Sequence, residues 1–257
     1  MEILRFTLSG KNAFFKKPEV NTYCYFTYGN IHKVALLGVF GAILGHKGYA
    51  QMQNILDIKK KKKIELEKSY PDFYNELKDL KISILPLDKE RKGLIAKKVQ
   101  TFNNSVGYAS GEQGGNLIVK EQWLENPAWE ICLLIDSPMA EKLKESITNH
   151  KCIFYPYLGK NDHLADITNI SVEEAVENKN DKFIMDCFVP KDMFSVYEED
   201  ESETVIFKYE EAFPYEIDPY TNNYIFKRFI RTNNFLEKET EVAIYTLKDK
   251  KNIIFYW

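Results

Sequence analysis

The sequence predicts an α+β protein, because its first 150 residues alternate between segments with strand periodicity and segments with helix periodicity. EILRFTLSG, residues 2–10, alternates as a strand does, with Leu4, Phe6 and Leu8 on one face. HKVALLGVFGAILGHKG, residues 32–48, carries apolar residues at helical spacing, and two later segments joined by a glycine-rich tip indicate a long β-hairpin. The resulting order of strand, helix, strand, hairpin, strand and helix predicts a ferredoxin-like or RRM-like core with insertions.

The other elements of this core follow from local start and stop signals. Gly48 is the expected C-terminal stop of the glycine-containing helix. Ser69 and Pro71 start a short helix, and Ser137 with Pro138 starts another. KISILPL and AWEICLLID read as strands, and LIAKKVQTFNN and NLIVKEQWL read as the two arms of the hairpin.

The C-terminal third is acidic, aromatic and rich in strand-like segments. CIFYPYLGK predicts a strand entering a turn, and SVEEAVE predicts a helix start because Ser171 and Glu174 form a capping box. KFIMDCFV, ETVIFKYEEAF, NYIFKRFIRT and the closing hairpin EVAIYTLKDKKNIIFYW predict strands. We therefore assign residues 1–155 to an RRM-like core, with the hairpin at about residues 95–122. Residues 156–257 form a strand-rich acidic region, either a subdomain or part of the same unit.

Composition indicates an ordinary globular protein, with 44% hydrophobic and 28% charged residues. The longest apolar-or-glycine stretch, residues 34–44, is far shorter than the roughly 20 residues that a membrane helix needs. The four cysteines and four histidines are scattered, so we expect reduced thiols, no metal site and no cofactor. No signal peptide is recognised, and we expect a cytoplasmic protein without membrane contact.

Charge is distributed unevenly along the chain. Residues 1–100 carry a net charge of +9 and residues 101–257 a net charge of −12, although the whole chain carries only −3. The overall value argues against a uniformly basic nucleic-acid binder, whereas the asymmetry is typical of a basic face for phosphates beside an acidic remainder. Five consecutive lysines at residues 59–63 supply part of the positive charge, and such a run is also typical of a solvated helix face or loop.

Four blocks stand out in order along residues 1–165: FTLSGKNAFFKKPE, KVALLGVFGAILG, NNSVGYASGEQGGNLIVKEQWLENPAWEICLLID and YPYLGKND. Together they resemble the Cas-five family of CRISPR-associated proteins, a branch of the RAMP superfamily found in type I Cascade complexes, with type I-B as the nearest kind. No single block is specific, since helices with small residues are common, but four blocks in one order are hard to obtain by chance. The acidic C-terminal region resembles the family only in general character.

The resemblance implies a fold and a set of partners. Members of the family have an RRM-like core whose long hairpin forms a thumb, and KKVQTFNNSVGYASGEQGGNLIVKE matches that thumb in position and in its glycine-rich tip. Members bind the 5′ handle of the CRISPR RNA, cap one end of the filament of backbone subunits and seat the large subunit that inspects target DNA. We therefore expect a non-catalytic RNA-binding subunit of an antiviral ribonucleoprotein. Its expected partners are CRISPR RNA, the backbone subunit and the large subunit, with target DNA nearby.

On this resemblance, the start of the glycine-containing helix is the main candidate for RNA binding. A helix N-terminus attracts phosphate through its unpaired N–H groups and its partial positive charge. Tyr28 is expected to stack on a base, and Asn30, His32 and Lys33 are expected to contact phosphate or base edges. A solvated surface lysine is the simpler alternative for Lys33.

The glycines of the same helix form a second candidate feature. Gly38, Gly41 and Gly45 fall at positions i, i+3 and i+7, so they make one stripe without side chains. Such a stripe allows a nucleotide to approach the helix closely, whereas tight packing of the helix on the sheet is the alternative for each glycine. His46 and Lys47, at the end of the helix, complete this part of the candidate RNA-binding set.

Lysines and aromatic residues are interleaved in the loop after the first strand, as in proteins that bind single-stranded nucleic acid. The lysines are Lys11, Lys16 and Lys17, and the phenylalanines between them, Phe14 and Phe15, suit the core equally well. The hairpin adds four candidates for contact with the handle or the first spacer nucleotides: Lys97, Lys98, Asn103 and Asn104. Turn chemistry explains the two asparagines equally well, and a simple loop explains the small polar patch of Lys160 and Asn161.

Three other functions compete with this interpretation. In type I-C systems the related protein cuts precursor CRISPR RNA without a metal, which needs a Tyr, Lys and His set. His150 and Lys151 are adjacent but fit a helix end better, and no complete set can be assigned. A generic RRM module should show the aromatic RNP motif, which the sequence lacks. A scaffold without RNA contact is disfavoured by the positive N-terminal segment.

Overall fold

The computed structural model describes residues 1–19, 23–52, 69–87, 94–103, 111, 113, 118–180, 182–197 and 205–255. The helices that position the candidate site are α1 (Lys33–Leu44), α2 (Asp72–Leu77) and α3 (Pro138–Thr148). The strands, in chain order, are β1 (Glu2–Ser9), β2 (Asn12–Ala13), β3 (Cys24–Tyr25), β4 (Ile82–Pro86), β5 (Lys97–Asn103), β6 (Ile118–Glu125), β7 (Ala128–Leu134), β8 (Asp166–Glu174), β9 (Val176–Asn178), β10 (Lys182–Phe183), β11 (Val189–Pro190), β12 (Phe194–Val196), β13 (Lys208–Ile217), β14 (Tyr224–Thr232), β15 (Leu236–Lys238), β16 (Ile244–Thr246) and β17 (Asn252–Ile253). The protein is a strand-rich α+β fold, as the sequence predicted.

A four-stranded antiparallel sheet brings together strands from distant parts of the chain, in the spatial order β4-β7-β1-β8. In the chain, α1 and α2 lie between β1 and β4, and α3 lies between β7 and β8. The fourth strand comes from residues 166–174, so this sheet draws on both sides of the boundary expected near residue 155.

The two faces of this sheet pack against different layers. Leu4, Phe6 and Leu8 of β1 are buried in a core shared with the helices, on the face that the alternation predicted. Ile3 and Leu134 are buried in a second core with the C-terminal strands. Because both faces are covered, the sheet does not present the open face on which RRM domains stack RNA bases.

A cluster of charged side chains fastens the C-terminal hairpin β16–β17 to this second face. Arg5 donates hydrogen bonds to Glu130 at 2.9 Å and to Glu173 at 3.2 Å, and it also contacts Asp249 in the hairpin turn. Lys251 Nζ lies 3.0 Å from Glu130 Oε2. Since the partners of Arg5 come from two separate strands and a turn, the cluster holds the C-terminal layer against the sheet.

Helix α1 begins and ends with conformations that its own residues supply. His32 is the N-cap, and its Nδ1 accepts a hydrogen bond from the Ala35 N–H at 3.2 Å. The helix ends at Leu44, before the expected stop at Gly48, because Gly45 adopts the left-handed conformation with φ of +82°. No helix among the residues described is long and apolar enough to cross a membrane.

The loop after α3 covers the end of α1 instead of forming the expected strand from CIFYPYLGK. The N–H groups of Ile153 and Phe154 donate to the carbonyls of Ile43 and Ala42, both at 3.0 Å. These carbonyls lie in the last turn of the helix, where the regular hydrogen-bonding pattern runs out. The backbone donors of the loop are therefore used for capping rather than for pairing with a strand.

The segment SVEEAVE is strand, and its predicted capping box is wrong. Ser171 lies opposite Arg5 and Glu174 opposite Glu2, so the segment extends the edge of the sheet next to β1. Pairing along a whole strand outweighs a local cap signal, which satisfies only two backbone donors.

The predicted long hairpin is formed by β5 and β6, which pair from Lys97 opposite Leu124 to Asn103 opposite Ile118. Its base also pairs with the short strands β2 and β3. Asn104, most of the glycine-rich tip and the five-lysine run lie outside the described residues. The C-terminal strands β13 and β14 form a second long hairpin, which packs against the start of α1.

Candidate nucleic-acid interface

The start of α1 is buried rather than open to a ligand. Tyr28 and His32 are 1% and 3% exposed, and their rings pack edge to face with centroids 5.1 Å apart. Phe213 packs on Tyr28 and Tyr224 packs on His32, so the β13–β14 hairpin covers both. The expected stacking of Tyr28 on a base is therefore wrong. Burial lowers the pKa of His32 to about 3, so the ring is neutral near pH 7 and does not serve as a phosphate-binding cation.

Asn30 and Lys33 are held by neighbours within the chain. Asn30 is fully buried, and its Oδ1 accepts a hydrogen bond from Trp129 Nε1 at 2.9 Å. Lys33 is 7% exposed, with its Nζ 5.5 Å from the centre of the Tyr215 ring. Burial lowers the pKa of Lys33 to about 8. The structure thus contradicts the expected phosphate contacts, and Lys33 is not a solvated surface lysine either.

A carboxylate of the chain occupies the position beside the helix start that suits an anion. The Gly29 N–H donates to Glu211 Oε2 at 2.9 Å, and the Tyr209 hydroxyl donates to the same oxygen. Lys17 Nζ lies 2.7 Å from Glu211 Oε1. Lys17, which the sequence predicted to contact nucleic acid, thus forms an internal ion pair with β13.

The three glycines of the predicted stripe lie along one side of α1 and its C-cap, but a side chain at each would meet a different environment. Gly38 is partly exposed, and a Cβ added there would meet no atom within 4 Å. A Cβ on Gly41 would fall 2.6 Å from the Cβ of Phe73, so this glycine allows α2 to pack closely. Gly45 supplies the left-handed turn, and Ile153 packs over it. Only Gly38 leaves open space beside the helix.

An open groove of about 1060 Å³, here called the α1 groove, runs along the partly exposed face of α1 formed by Ala35, Gly38 and Ala42. The segment after α1 and the loop after α3 supply exposed aromatic side chains to its lining. These are Tyr49, Phe154, Tyr155 and Tyr157, which are 43%, 58%, 83% and 44% exposed. The groove therefore combines a floor of small residues with walls of accessible rings.

Cations also line the α1 groove. Lys16 and Lys47 are exposed, and Lys16 Nζ lies 4.2 Å from the centre of the Tyr25 ring. Lys160 is the third lysine, and Glu121 is the one carboxylate among the described residues of the lining. Proteins bind single-stranded nucleic acids with this combination of positive charge and exposed aromatic rings. The structure thus places Lys16 and Lys47 together, as members of one surface.

Lys160 connects the α1 groove to the base of the β5–β6 hairpin. Its Nζ lies 2.8 Å from Glu121 Oε2, which also accepts a hydrogen bond from Trp123 Nε1 at 2.7 Å. The rings of Phe14, Phe102 and Trp123 lie 5.1–5.9 Å from the same ammonium. The sequence favoured a simple loop for Lys160. The segment stood out only because it lies in YPYLGKND, one of the four blocks that carry the family resemblance.

The predicted residues of the hairpin lie on its described arms. Lys97 is exposed on β5, and Lys98 Nζ lies 3.7 Å from Glu125 Oε1. Asn103 is the last residue of β5. Lys97 and Lys98 are consecutive residues of β5, so they put positive charge on opposite faces of the hairpin.

The remaining predicted residues are separated from one another. Lys11 is exposed in the loop after β1, and the phenylalanines beside it, Phe14 and Phe15, are core residues at 6% and 4% exposure. His46 lies with its Nδ1 3.8 Å from Asp72 Oδ2, at the end of the groove. His46 therefore has a neighbour within the chain, whereas Lys11 belongs to a different surface from the groove.

The histidine and lysine pair lies directly after α3, where the His150 N–H donates to the Ile147 carbonyl at 3.1 Å. His150 and Lys151 line an open cavity of about 760 Å³ together with Tyr155. Within the described ranges, no group of three or more His, Cys, Asp or Glu residues is arranged to hold a metal ion.

Comparison with solved structures identifies the architecture. The chain superposes on a chain of a CRISPR RNA-guided surveillance complex with a TM-score of 0.50 and 13% identity, covering 92% of this chain and 91% of the other. It superposes on a chain of a type III-B Cmr-beta complex, bound to cognate target RNA and AMPPnP, with a TM-score of 0.51 and 9% identity, covering 92% and 86%. The chain therefore shares its fold with chains of these two structures.

A CRISPR protein from Archaeoglobus fulgidus also matches, with a TM-score of 0.48, 9% identity and 99% of both chains covered. No protein-family model matches the sequence, and no curated protein matches it. The likeness therefore concerns the fold, while the assignment to one family and one subtype is taken up as a proposal.

Proposed function

We propose that this protein is a Cas-five-type subunit of a type I-B Cascade complex, which binds the 5′ handle of CRISPR RNA and caps the backbone filament. It contacts the backbone subunit and the large subunit, with target DNA nearby, and acts in the cytoplasm without cleaving RNA. The order β4-β7-β1-β8, with helices between the strands, supports a ferredoxin-like core, and the long β5–β6 hairpin supports the assignment of a thumb.

One observation carries this proposal: an open groove with lysines and exposed rings lies beside the lysine-bearing hairpin. The groove contains Lys16, Lys47 and Lys160, and Lys97 lies on the hairpin arm. An RNA strand along α1 meets the three cations of the groove, and one that continues onto β5 meets Lys97. The sheet face used by RRM domains is covered by the C-terminal layer, which favours this helical side of the molecule for RNA.

The test is binding of guide RNA by the assembled complex when exposed cations are removed. Changing Lys16, Lys47 and Lys97 to alanine should weaken handle binding and lower the slope of log affinity against log salt by about 2, since each phosphate contact on a single strand contributes about 0.7. The matched control removes three exposed lysines elsewhere: Lys142, Lys179 and Lys248. Equal affinity and equal salt slope for both triple variants would contradict the proposal.

The non-catalytic part of the proposal has its own test. His32 is neutral and engaged in the helix cap, so it is poorly suited to general acid–base work. We expect the purified protein to leave repeat RNA intact in EDTA. Specific cleavage that is lost when a histidine is changed to alanine would instead assign the chain to the metal-independent nucleases.

A further inference from the structure

The floor of the α1 groove has a definite length. The partly exposed face of α1 runs from Ala35 through Gly38 to Ala42, and over this stretch the helix advances about 10 Å at 1.5 Å per residue. A stacked single strand advances about 3.4 Å per nucleotide, so this floor matches about three nucleotides. The open space above Gly38 lets such a strand approach the helix backbone without meeting a side chain.

The aromatic walls of the groove are presented for contact rather than for packing. Tyr155 is 83% exposed although the backbone of its loop is held by the hydrogen bonds from Ile153 and Phe154 to α1. Tyr49 packs edge to face on Phe73, with centroids 5.8 Å apart, and still keeps 43% of its surface exposed. Rings held in place with a free surface are suited to stacking on bases, which tolerates any base because every base has a flat face.

The charge of the groove selects an anionic occupant. Lys16 and Lys47 are exposed along the lining, and the single carboxylate of the described lining, Glu121, is already paired with Lys160. Because Lys160 neutralises Glu121, which would otherwise repel phosphate, a phosphate backbone in the groove meets net positive charge.

We infer that the α1 groove binds about three nucleotides of single-stranded RNA, by stacking on Tyr49 and Tyr155 and by phosphate contacts to Lys16 and Lys47. Binding of this kind depends little on base identity. This inference rests on the proposed function, and it identifies which surface holds the RNA and how. Neither tyrosine was among the residues that the sequence indicated.

The experiment measures fluorescence anisotropy of the full-length protein with labelled hexaribonucleotides of two unrelated sequences. Tyr155→Ala should weaken binding about 10-fold, the usual loss for one stacked base. Gly38→Leu should weaken RNA binding at least as much, because the leucine side chain would fill part of the open groove. Tyr220→Ala removes a tyrosine that is 67% exposed in the β13–β14 turn and should change affinity less than twofold, a negligible effect on this scale. The two sequences should bind with similar affinity.

The outcomes of this experiment distinguish failure of the inference from failure of the proposed function. No hexamer binding by the wild-type protein, or unchanged binding by Tyr155→Ala and Gly38→Leu, overturns the inference, even if the complex still co-purifies with guide RNA. Loss of a protein subunit from the complex in these variants, with RNA affinity intact, also overturns it and assigns the groove to protein. Groove-dependent hexamer binding by a chain that never joins a CRISPR complex supports the inference and refutes the proposed function.

Discussion

Gly38 and Gly41 lie one helical turn apart, and the structure predicts opposite effects when each becomes alanine. Replacing a glycine inside a helix by alanine gains about 0.5–1 kcal/mol in free energy of unfolding, because the unfolded chain loses conformational freedom. At Gly38 the added methyl group meets no atom within 4 Å, so the variant should keep this whole gain.

At Gly41 the same methyl group would lie 2.6 Å from the Phe73 Cβ, about 1 Å closer than the optimal carbon–carbon separation. Helix α2 must move away or α1 must bend, and overpacking of this kind costs about 1–3 kcal/mol. After subtracting the propensity gain, Gly41→Ala should destabilise the protein by about 0.5–2 kcal/mol. The two variants should therefore differ by about 1–3 kcal/mol.

Urea unfolding of the purified protein, followed by circular dichroism, measures this difference directly. The slope of stability against urea should be the same in both variants, because neither changes how much surface unfolding exposes. In thermal unfolding, a difference of 1 kcal/mol corresponds to about 2–4 °C in Tm for a chain of this size. Equal stability of the two alanine variants would refute the packing of α2 on Gly41, and a loss of stability at Gly38 would refute the open groove.

Three further predictions concern the contacts that hold the fold together. Burial lowers the pKa of His32 to about 3, whereas the pKa in the unfolded chain is about 6.5. Between about pH 3 and pH 6.5 the unfolded state therefore binds a proton that the folded state does not. The free energy of unfolding should fall by up to about 1.4 kcal/mol per pH unit on acidification below pH 6.5. His32→Asn keeps a capping side chain and should remove this component of the slope; an unchanged slope in urea titrations at several pH values would contradict the burial. Arg5→Ala leaves the buried Glu173 carboxylate without its partner, whereas Glu130 keeps Lys251, and it should cost about 3–5 kcal/mol in urea unfolding at pH 7. A change under about 1 kcal/mol would show that the ion cluster does not hold the C-terminal layer. Glu211→Ala deprives Gly29 and Lys17 of their acceptor and should cost about 1–3 kcal/mol, and rescue of stability by added phosphate would show that the position accepts a free anion.

Elements defined by their own sequence were predictable, and they include most of the sheet. The alternation of Leu4, Phe6 and Leu8 predicted β1 and its buried face, and Ser137 with Pro138 predicted the start of α3. These signals act between residues that are close in the chain. The structure therefore agrees with them regardless of what packs around them.

Predictions failed where a distant segment decided the environment. The start of α1 carried every local sign of an anion site, yet Glu211 and Phe213, about 180 residues later, fill and cover it. Ser171 and Glu174 formed a convincing capping box, but the free edge of β1 drew them into a strand. Of the α1 groove, the sequence predicted the open helix surface at Gly38. It did not indicate Tyr155, because nothing in the sequence shows that the loop after α3 caps α1 and leaves this ring exposed.

The contact between Arg5 and the C-terminal hairpin has a consequence for protein synthesis. Arg5 and Asp249 are 244 residues apart, so at roughly 5–20 residues per second the first strand leaves the ribosome about 10–50 s before its partner exists. During that time the face of β1 that carries Ile3 and Arg5 lacks its cover, although β7 and β8, which are made earlier, pair with both edges of the strand. The β1 strand is therefore synthesised well before it is fully buried. Expression conditions that slow aggregation of nascent chains, such as low temperature or extra chaperone, should therefore raise the yield more than conditions that speed translation.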